Sequence, residues 1–370
     1  MPRIFVNGVS AKTGGGVSIL TNYLSLAMQA NGDDEYFVLT PSASVYAKYA
    51  SATVTIVDVP RLYKHGFMFP ILQAAVIPKL IRELACDRVL NLADIPIPTS
   101  VRQCYLFDWA YAIYPESEAW NRMGWKDWFV RKSKLLFLRH YSRHPAVTVA
   151  QTRTARDRLV QQFDLSKVVV IPNAVSLDHL NGREAKDFAF NTNRIKFLCL
   201  SYYYTHKNLE IFLSLGEMIK QRALPYSIVT TIGENENLGA RKFLDGVRAL
   251  GLEDIILNIG PVSMTDVPSL YSQCDALLLP TLLESFSGTY VEAMFHCKPI
   301  LTSDFDFARD ICEDDAYYFD PLNPSSILDA IQEMLADPEV CRMRTSRAAQ
   351  RLREMPRWAE VFRMLRTAMG

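Results

Sequence analysis

Two glutamates that are eight positions apart stand out in the stretch from Pro280 to Asp304. The apolar run from Ala276 to Leu279 predicts a buried strand, and the apolar residues at helical spacing further on predict a helix after a Ser- and Gly-rich loop. Glu284 falls in this loop, and Glu292 lies about one turn into the helix. On a single helix the two side chains would point roughly 80° apart. With the first in the loop, both can face a ligand bound where the helix begins.

The start of that helix is rich in hydrogen-bond donors. Unpaired N–H groups and the helix dipole favour a phosphate at a helix N-terminus. The donors there are the backbone and hydroxyl groups of Ser285, Ser287, Gly288 and Thr289. Because carboxylates can accept hydroxyl protons, these residues and the two glutamates together predict a site for a phosphorylated ligand that carries hydroxyl groups.

A lysine at another strand end adds a positive charge. Lys207 follows the predicted strand from Ile195 to Leu200, so it shares the ligand-binding edge of one parallel sheet with the Glu284 loop. Its ammonium group would balance the charge of a diphosphate, Glu292 suits the two hydroxyls of a ribose, and Glu284 would meet whatever the diphosphate carries. A nucleotide diphospho-sugar fits all three residues.

The elements that must position these residues predict an α/β fold. A strand from Arg3 to Val9, a glycine loop from Ala11 to Gly16 and a helix form the first unit of a doubly wound sheet. A second strand-first series begins at Ile195, and its sheet is predicted to finish with the strand from Pro299 to Thr302.

The length of 370 residues favours two domains. We predict two Rossmann-like domains, residues 1–175 and 176–355, that face one another across a cleft, with a C-terminal helix at 356–370 that packs back on the first.

The composition argues against several other classes of protein. With 40 basic and 40 acidic residues the formal charge is zero, so general binding of nucleic acid is not expected. Seven scattered cysteines without a CxxC pair favour reduced thiols in a cytoplasmic protein over a disulfide scaffold or a zinc site. The longest uncharged apolar run, Gly66 to Pro78, is shorter than the roughly 20 residues of a spanning helix.

One segment departs from this balance. Asn121 to His144 contains seven Lys or Arg residues and a single acid, Asp127, and it interleaves them with aromatic residues such as Trp125 and Trp128. This pattern suits the surface of an anionic membrane, and we expect a peripheral contact with the inner face of the plasma membrane. The alternative is a helix packed on the core with a solvated basic face.

The stretch from Glu284 to Glu292, followed by Ala293 and Met294, resembles the E-x7-E motif of retaining glycosyltransferases of the GT-B architecture, most closely family 4. The resemblance covers the chain from Ala146 to Pro321 and reaches the N-terminal half only through the glycine loop. Further matching pieces, in the order that the family shows, are Pro172-Asn173-Ala174-Val175, Lys207-Asn208, Gly260 and Asp275.

The resemblance implies a role for each matching position. It implies that Glu284 holds the donor-sugar hydroxyls near the anomeric carbon, that Glu292 binds the ribose and that Lys207 is the cation for the diphosphate. The remaining donor-binding positions that it implies are the amides of Phe286, Ser287, Gly288 and Thr289 for the diphosphate, the strand ends near Gly233 and Val262 for the nucleobase, and Gly15 and Gly16 in a loop that closes on the donor.

Two positions differ from the family pattern. Tyr202 stands where the family has an arginine, which leaves one diphosphate charge to another cation such as Lys12. Phe107 stands where many members have the histidine of a His-Asp pair, so Asp108, just past a predicted strand, remains as a catalytic candidate. The alternative for Asp108 is to cap the following turn.

These features predict a retaining, hexosyltransferase-like enzyme that moves a sugar from a nucleotide diphospho-sugar to a glycan or lipid-linked acceptor in bacterial surface polysaccharide or lipopolysaccharide synthesis. No Asp-x-Asp element is evident near the proposed phosphate site, which predicts transfer without a metal, as the resemblance also implies, and no cofactor is expected. The alternatives are a sugar-nucleotide epimerase or phosphorylase on the same two-domain frame, and a non-catalytic nucleotide-binding protein.

Overall fold

The computed structural model describes residues 1–12, 14–30, 34–64, 68–174, 186–190 and 192–370. The predicted domain boundary at 175/176 lies outside these residues, as does Val175 of the family-like segment. The chain divides into two compact units. The first comprises Met1–Pro115, Gly124–Ala174 and Pro356–Gly370, and the second comprises Glu116–Met123 and the described part of Val175–Met355.

The first unit is a parallel sheet with helices. Its strands are β1 (Arg3–Asn7), β2 (Glu35–Thr40), β3 (Val54–Asp58), β4 (Arg88–Asn91), β5 (Arg102–Leu106), β6 (Val147–Ala150) and β7 (Val168–Val170). Its helices up to Ala174 are α1 (Gly14–Gln29), α2 (Ala43–Tyr46), α3 (Phe69–Ile71), α4 (Ile77–Glu83), α5 (Trp125–Tyr141) and α6 (Arg153–Phe163), with a π-helical turn at Leu72–Val76 between α3 and α4. The strand order is β3-β2-β1-β4-β5-β6-β7.

The second unit repeats this design. Its strands are β8 (Ile195–Cys199), β9 (Tyr226–Thr230), β10 (Ile256–Asn258), β11 (Ala276–Leu279), β12 (Ile300–Ser303) and β13 (Ala316–Phe319), in the order β10-β9-β8-β11-β12-β13. Its helices are α7 (Ile211–Gln221), α8 (Leu238–Ala249), α9 (Val267–Gln273), α10 (Gly288–Phe295), α11 (Asp306–Cys312), α12 (Pro324–Ala336) and α13 (Pro338–Glu354). All neighbouring strands in both sheets pair in parallel, so the predicted α/β fold with two doubly wound sheets is confirmed.

The last helix, α14 (Trp358–Met369), completes the core of the first unit. Its buried side chains, which include Trp358, Phe362 and Leu365, belong to the same apolar cluster as residues of β1 and α1. Two polar contacts also hold α14 on this unit. Arg102 donates to the carbonyl of Met369 at 2.7 Å, and Arg366 pairs with Asp34.

Two details of the predicted organisation are wrong. The second sheet does not finish at β12, because Ala316–Phe319 adds β13 beside it; this strand is only four residues long and follows the acidic run Glu313–Asp315, so it carries little pattern of its own. In addition, Glu116–Met123 groups with the second unit and not with the first, because hydrogen bonds from Ser117 and Arg122 anchor it there.

The described residues include no helix that combines the length and the apolar character needed to cross a bilayer.

Candidate active site

The carboxyl ends of β8 and β11 meet at the point where the strand order of the second sheet reverses. The two strands pair directly, with Leu277 opposite Leu198, and the strand that follows β8 in the chain lies on one side of this pair while the strand that follows β11 lies on the other. In open α/β sheets this is where ligands bind. The loops that follow the two strands are tied together, since the amide of Leu282 donates to the carbonyl of His206 at 2.7 Å, and the hydroxyl oxygen of Thr281 lies 3.2 Å from the same carbonyl.

Lys207 and Glu284 form an ion pair at this point. The Lys207 ammonium lies 2.5 Å from Glu284 Oε1, and the hydroxyl of Thr281 donates to the same oxygen at 3.1 Å. The two side chains are only 15% and 10% exposed. A carboxylate so deeply placed requires both a counter-charge and hydrogen bonds, and it has them. The structure therefore brings together Lys207 and Glu284, the two residues for which the sequence predicts contacts with the diphosphate and with the sugar.

Asn208 fixes the backbone next to Lys207. It has a left-handed backbone, with φ 57°, and is fully buried. Its side-chain amide donates to the carbonyls of Pro280 and Pro321 at 3.1 and 2.7 Å, and its Oδ1 accepts from Arg122. Asparagine tolerates this backbone conformation better than most residues. These contacts were not predicted, because they depend on chain segments more than 70 positions away.

Helix α10 begins at the predicted phosphate position. Ser287 is its N-cap residue but makes no capping bond with its side chain; its hydroxyl lies 2.9 Å from that of Thr289. Ser285 and Phe286 are half-buried in the preceding loop. A Cβ atom at Gly288 would meet nothing within 4 Å, so there is open space beside the first turn of the helix.

Glu292 lies on α10 in a different environment from that of Glu284. It is 9% exposed, and burial raises the pKa of its carboxyl to about 7, an effect that the hydrogen bond from Tyr271 partly offsets. The Tyr271 hydroxyl lies 3.3 Å from Glu292 Oε2 and 3.2 Å from the carbonyl of Thr289, and its ring stacks on His296 at 4.9 Å. Near neutral pH this carboxyl is poised between its two protonation states. Tyr271 was not predicted, since no sequence motif connects α9 with α10.

The predicted nucleobase positions follow β9 and β10. The amide of Gly233 donates to Glu236 at 2.7 Å, and a Cβ atom at Gly233 would lie 3.0 Å from Pro261. Glu236 also accepts from the amide of Tyr203 at 2.7 Å, so this unpredicted carboxylate links the loops after β8 and β9. Val262 is half-buried four positions past β10.

Other predicted site residues belong to the first unit. Gly15 and Gly16 lie in the first turn of α1 and not in a loop before it, because the helix begins at Gly14. Asp108 is half-buried just past β5. Phe107, at the position of the family histidine, is a buried core residue.

Tyr202 in the second unit is 50% exposed and supplies no cation. The chain also contains an Asp-x-Asp sequence, Asp304-Phe305-Asp306, just past β12. There Asp304 accepts from Arg309 at 2.5 Å and Asp306 accepts from the amide of Phe307 at 2.8 Å. No cluster of three or more His, Cys, Asp or Glu side chains in the described part of the chain is arranged to hold a metal ion.

Solved structures with this fold are glycosyltransferases of the GT-B architecture. WaaG, a glycosyltransferase involved in lipopolysaccharide biosynthesis, matches with a TM-score of 0.72 and 13% identity over 100% of both chains. Anabaena Alr3699/HepE, crystallised with UDP and glucose, matches with a TM-score of 0.71 and 14% identity over 99% of both chains. At these identities the likeness establishes the fold, and the fold is GT-B.

Family models match both halves of the sequence. The model of Glycosyl transferases group 1 matches residues 182–351, and that of Glycosyltransferase Family 4 matches residues 14–179. The two matched stretches together span most of the chain, and the resemblance to GT-B glycosyltransferases of family 4 that was based on the E-x7-E motif is confirmed. A curated relative, the O-antigen chain mannosyltransferase RfbU of Salmonella typhimurium, is 24% identical over 189 residues; the match spans 50% of this chain and 50% of that protein, half the length of each.

Proposed function

We propose that this protein is a retaining glycosyltransferase that moves a hexose from a nucleotide diphospho-sugar to a glycan or lipid-linked acceptor in bacterial surface polysaccharide synthesis. The observation that carries the proposal is the buried Lys207–Glu284 pair at the switch point of the second sheet, where Glu284 lies on the loop that leads into the N-terminus of α10. An ammonium group has three donors, so Lys207 can hold a phosphate oxygen while it stays on Glu284. A carboxylate that can accept a hydrogen bond from a sugar hydroxyl then lies beside a cation that can bind a phosphate, as a ligand with a sugar-phosphate linkage requires.

Transfer breaks the bond between the anomeric carbon and the diphosphate, and the bonding electrons leave with the phosphate. Lys207 and the first amides of α10 would offset the charge that develops there, and groups that bind this charge more strongly in the transition state raise the rate. This supply of positive charge supports our proposal that the reaction needs neither a metal nor a cofactor. Transfer should therefore persist in EDTA.

Glu292 in its ionised form can accept both ribose hydroxyls. Gly233 and Val262, at the ends of β9 and β10, are our candidates for the nucleobase contact. Asp108 remains a proposed catalytic group on the acceptor side, and Gly15 and Gly16 remain proposed donor contacts. We further propose that the enzyme works in the cytoplasm, at the inner face of the plasma membrane.

A thermal-shift screen tests donor binding. The probes are UDP-glucose, GDP-mannose and dTDP-glucose; UDP and glucose are bound in the HepE structure, and RfbU is named as a mannosyltransferase. At a hundredfold excess over Kd the true donor should stabilise the protein by about 2.7 kcal/mol. If all three leave the melting temperature unchanged, the donor site is misassigned.

Replacement of Glu284 tests the chemistry. Glu284→Gln keeps the shape of the side chain and should lower transfer by at least about 100-fold, the scale of losing one preorganised electrostatic contact, with unchanged secondary structure. Glu253→Gln, an exposed glutamate of the same unit, is the control. Product analysis should show a retained anomeric configuration. Unchanged turnover would reject the assignment, and donor binding without transfer to any acceptor, or release of an epimer or a sugar phosphate, would favour one of the alternative functions.

A further inference from the structure

Helix α5 carries an apolar stripe that the fold of the first unit leaves uncovered. We define the α5 stripe as Trp125, Trp128, Phe129 and Leu136, which are 76%, 45%, 66% and 67% exposed. Because the other three follow Trp125 by three, four and eleven positions, all four lie on one side of the helix. Leu135 and Leu138 are buried, and they lie beyond the edge of the stripe that Trp128 forms. The helix thus packs on its unit, as one prediction had it, yet its outer side is apolar as well as basic.

The structure sorts the seven cations of the segment. Four are engaged away from the stripe: Arg122 with Asn208, Arg131 over the ring of Tyr111, Lys134 with Asp94, and Arg143 with Asp164. Lys126 and Lys132 instead lie over the rings of the exposed Trp125 and Trp128, each at 5.5 Å. Arg139 is exposed 14 positions after Trp125, close to four helical turns on, and so on the same side.

We propose that the α5 stripe, with Lys126, Lys132 and Arg139, docks this protein onto a membrane surface rich in anionic lipid, with the helix lying in the interface. Aromatic rings with adjacent cations suit this boundary, because the rings enter the acyl region and the cations remain at the headgroups. The phosphates of a nucleic acid would pair with the cations, but they would not bury the exposed side chains of Phe129 and Leu136. The stripe therefore fits lipid better than a polyanion.

The other side of α5 reaches the ligand edge of the first sheet. Lys134 pairs with Asp94, which follows β4, and its ammonium group lies 4.6 Å from the ring of Trp109, which follows β5. The carboxyl ends of parallel strands are where such sheets bind ligands. A docked α5 would thus hold this edge close to the bilayer, where a lipid-linked acceptor is found. That last step rests on the proposed function, whereas docking itself does not.

Tryptophan fluorescence gives a direct measurement. The chain has five tryptophans, of which Trp109, Trp120 and Trp358 are buried, so Trp125 and Trp128 are the two that meet solvent. Adding vesicles of phosphatidylglycerol and phosphatidylethanolamine should shift the emission to the blue and protect it from acrylamide, and brominated lipid should quench it. Vesicles of phosphatidylcholine alone should bind at least tenfold more weakly.

Matched variants separate the apolar part from the charges. Trp125→Ser with Phe129→Ser and Leu136→Ser should lower co-sedimentation at least tenfold, whereas Leu238→Ser with Met264→Ser and Met343→Ser, exposed apolar residues of the second unit, should not. Lys126→Gln with Lys132→Gln and Arg139→Gln should weaken binding roughly 100-fold, about fivefold per charge. Arg241→Gln with Lys242→Gln and Arg353→Gln is the charge control. Thermal melts check that every variant folds.

Three results would overturn the proposal. One is co-sedimentation that survives both the apolar and the charge variants. Another is binding of duplex DNA as tight as binding of the anionic vesicles. The third is a dimer that dissociates when the stripe is removed, in a protein that does not bind vesicles. Transfer to a short water-soluble acceptor should be unaffected by the apolar variant, so a failure of docking is distinguishable from a failure of the proposed activity.

Discussion

Burial of Glu292 strains its ionised form, because the charged carboxylate is less stable there than in water when no ligand is bound. Its carboxyl is buried, its pKa is raised to about 7, and Tyr271 is its hydrogen-bond donor. The unfolded carboxyl titrates near its ordinary value of about 4.3. Because the folded pKa is the higher one, the stability contributed by the bound proton is fully present below about pH 4.3 and is lost as the pH rises through 7. Hydroxyls that donate to the carboxylate would remove this strain.

We therefore expect Glu292→Gln to change the pH dependence of folding. The stability of the wild type relative to the variant should fall by roughly 2 kcal/mol between pH 5.5 and pH 8, because only the wild type must ionise a buried group. Urea unfolding at the two pH values measures this difference, and taking the difference cancels the other titrating groups. The variant should also lose affinity for the nucleotide donor. A stability difference that does not change with pH would show that Glu292 is not strained in this way.

At the scale of the elements, Asn208 joins three segments at the switch point. Its left-handed backbone turns the chain from the Lys207 turn toward α7, while its amide holds the carbonyls of Pro280 and Pro321. The segment Glu116–Met123 reaches the same place through Arg122. The position of Lys207 thus depends on contacts distant in sequence.

Asn208→Ala should destabilise the second unit by about 2–4 kcal/mol, since it removes two buried hydrogen bonds and strains the left-handed backbone. Asn208→Gly relieves the backbone strain but does not restore the lost hydrogen bonds, so its free energy of unfolding should lie between those of the wild type and the alanine variant. Denaturant unfolding gives these stabilities, and donor Kd at a temperature where both variants are folded shows how well Lys207 stays in place. Equal stability of all three proteins would mean that Asn208 has no anchoring role.

The sequence is informative about elements and less so about what joins them. Buried parallel strands read as short apolar runs, so β1, β8 and β11 could be predicted to within two residues. Glu284 and Lys207 could be paired in advance because both follow neighbouring strands. Tyr271 and Glu236 could not, since they touch the site through tertiary packing that leaves no periodic signal. Strand β13 was missed for a different reason, since its four residues are too few to form a pattern.

At the scale of the whole molecule, the chain builds a doubly wound sheet twice and then returns to the first with α14. That helix gives the first unit a core that its own N-terminal segments leave incomplete: Phe362 packs 5.0 Å from the ring of Tyr23 on α1, and Leu365 is 1% exposed. The apolar cluster around α14 contains residues of the first unit. A loss of packing around α14 should consequently lower the stability of the first unit before that of the second.

Phe362→Ala should destabilise the first unit by about 3–5 kcal/mol, the usual cost of removing a buried aromatic ring. Met364→Ala on the same helix is the matched control, because Met364 is 39% exposed and its truncation should stay within about 0.5 kcal/mol. Hydrogen exchange followed by mass spectrometry resolves where the loss occurs: peptides of β1 and β2 should exchange at least about 100-fold faster, since 1.4 kcal/mol corresponds to a factor of ten. Peptides of β8 and β11 should keep their protection. If they lose it equally, α14 stabilises the chain as one cooperative whole, and the assignment of this helix to the first core is wrong.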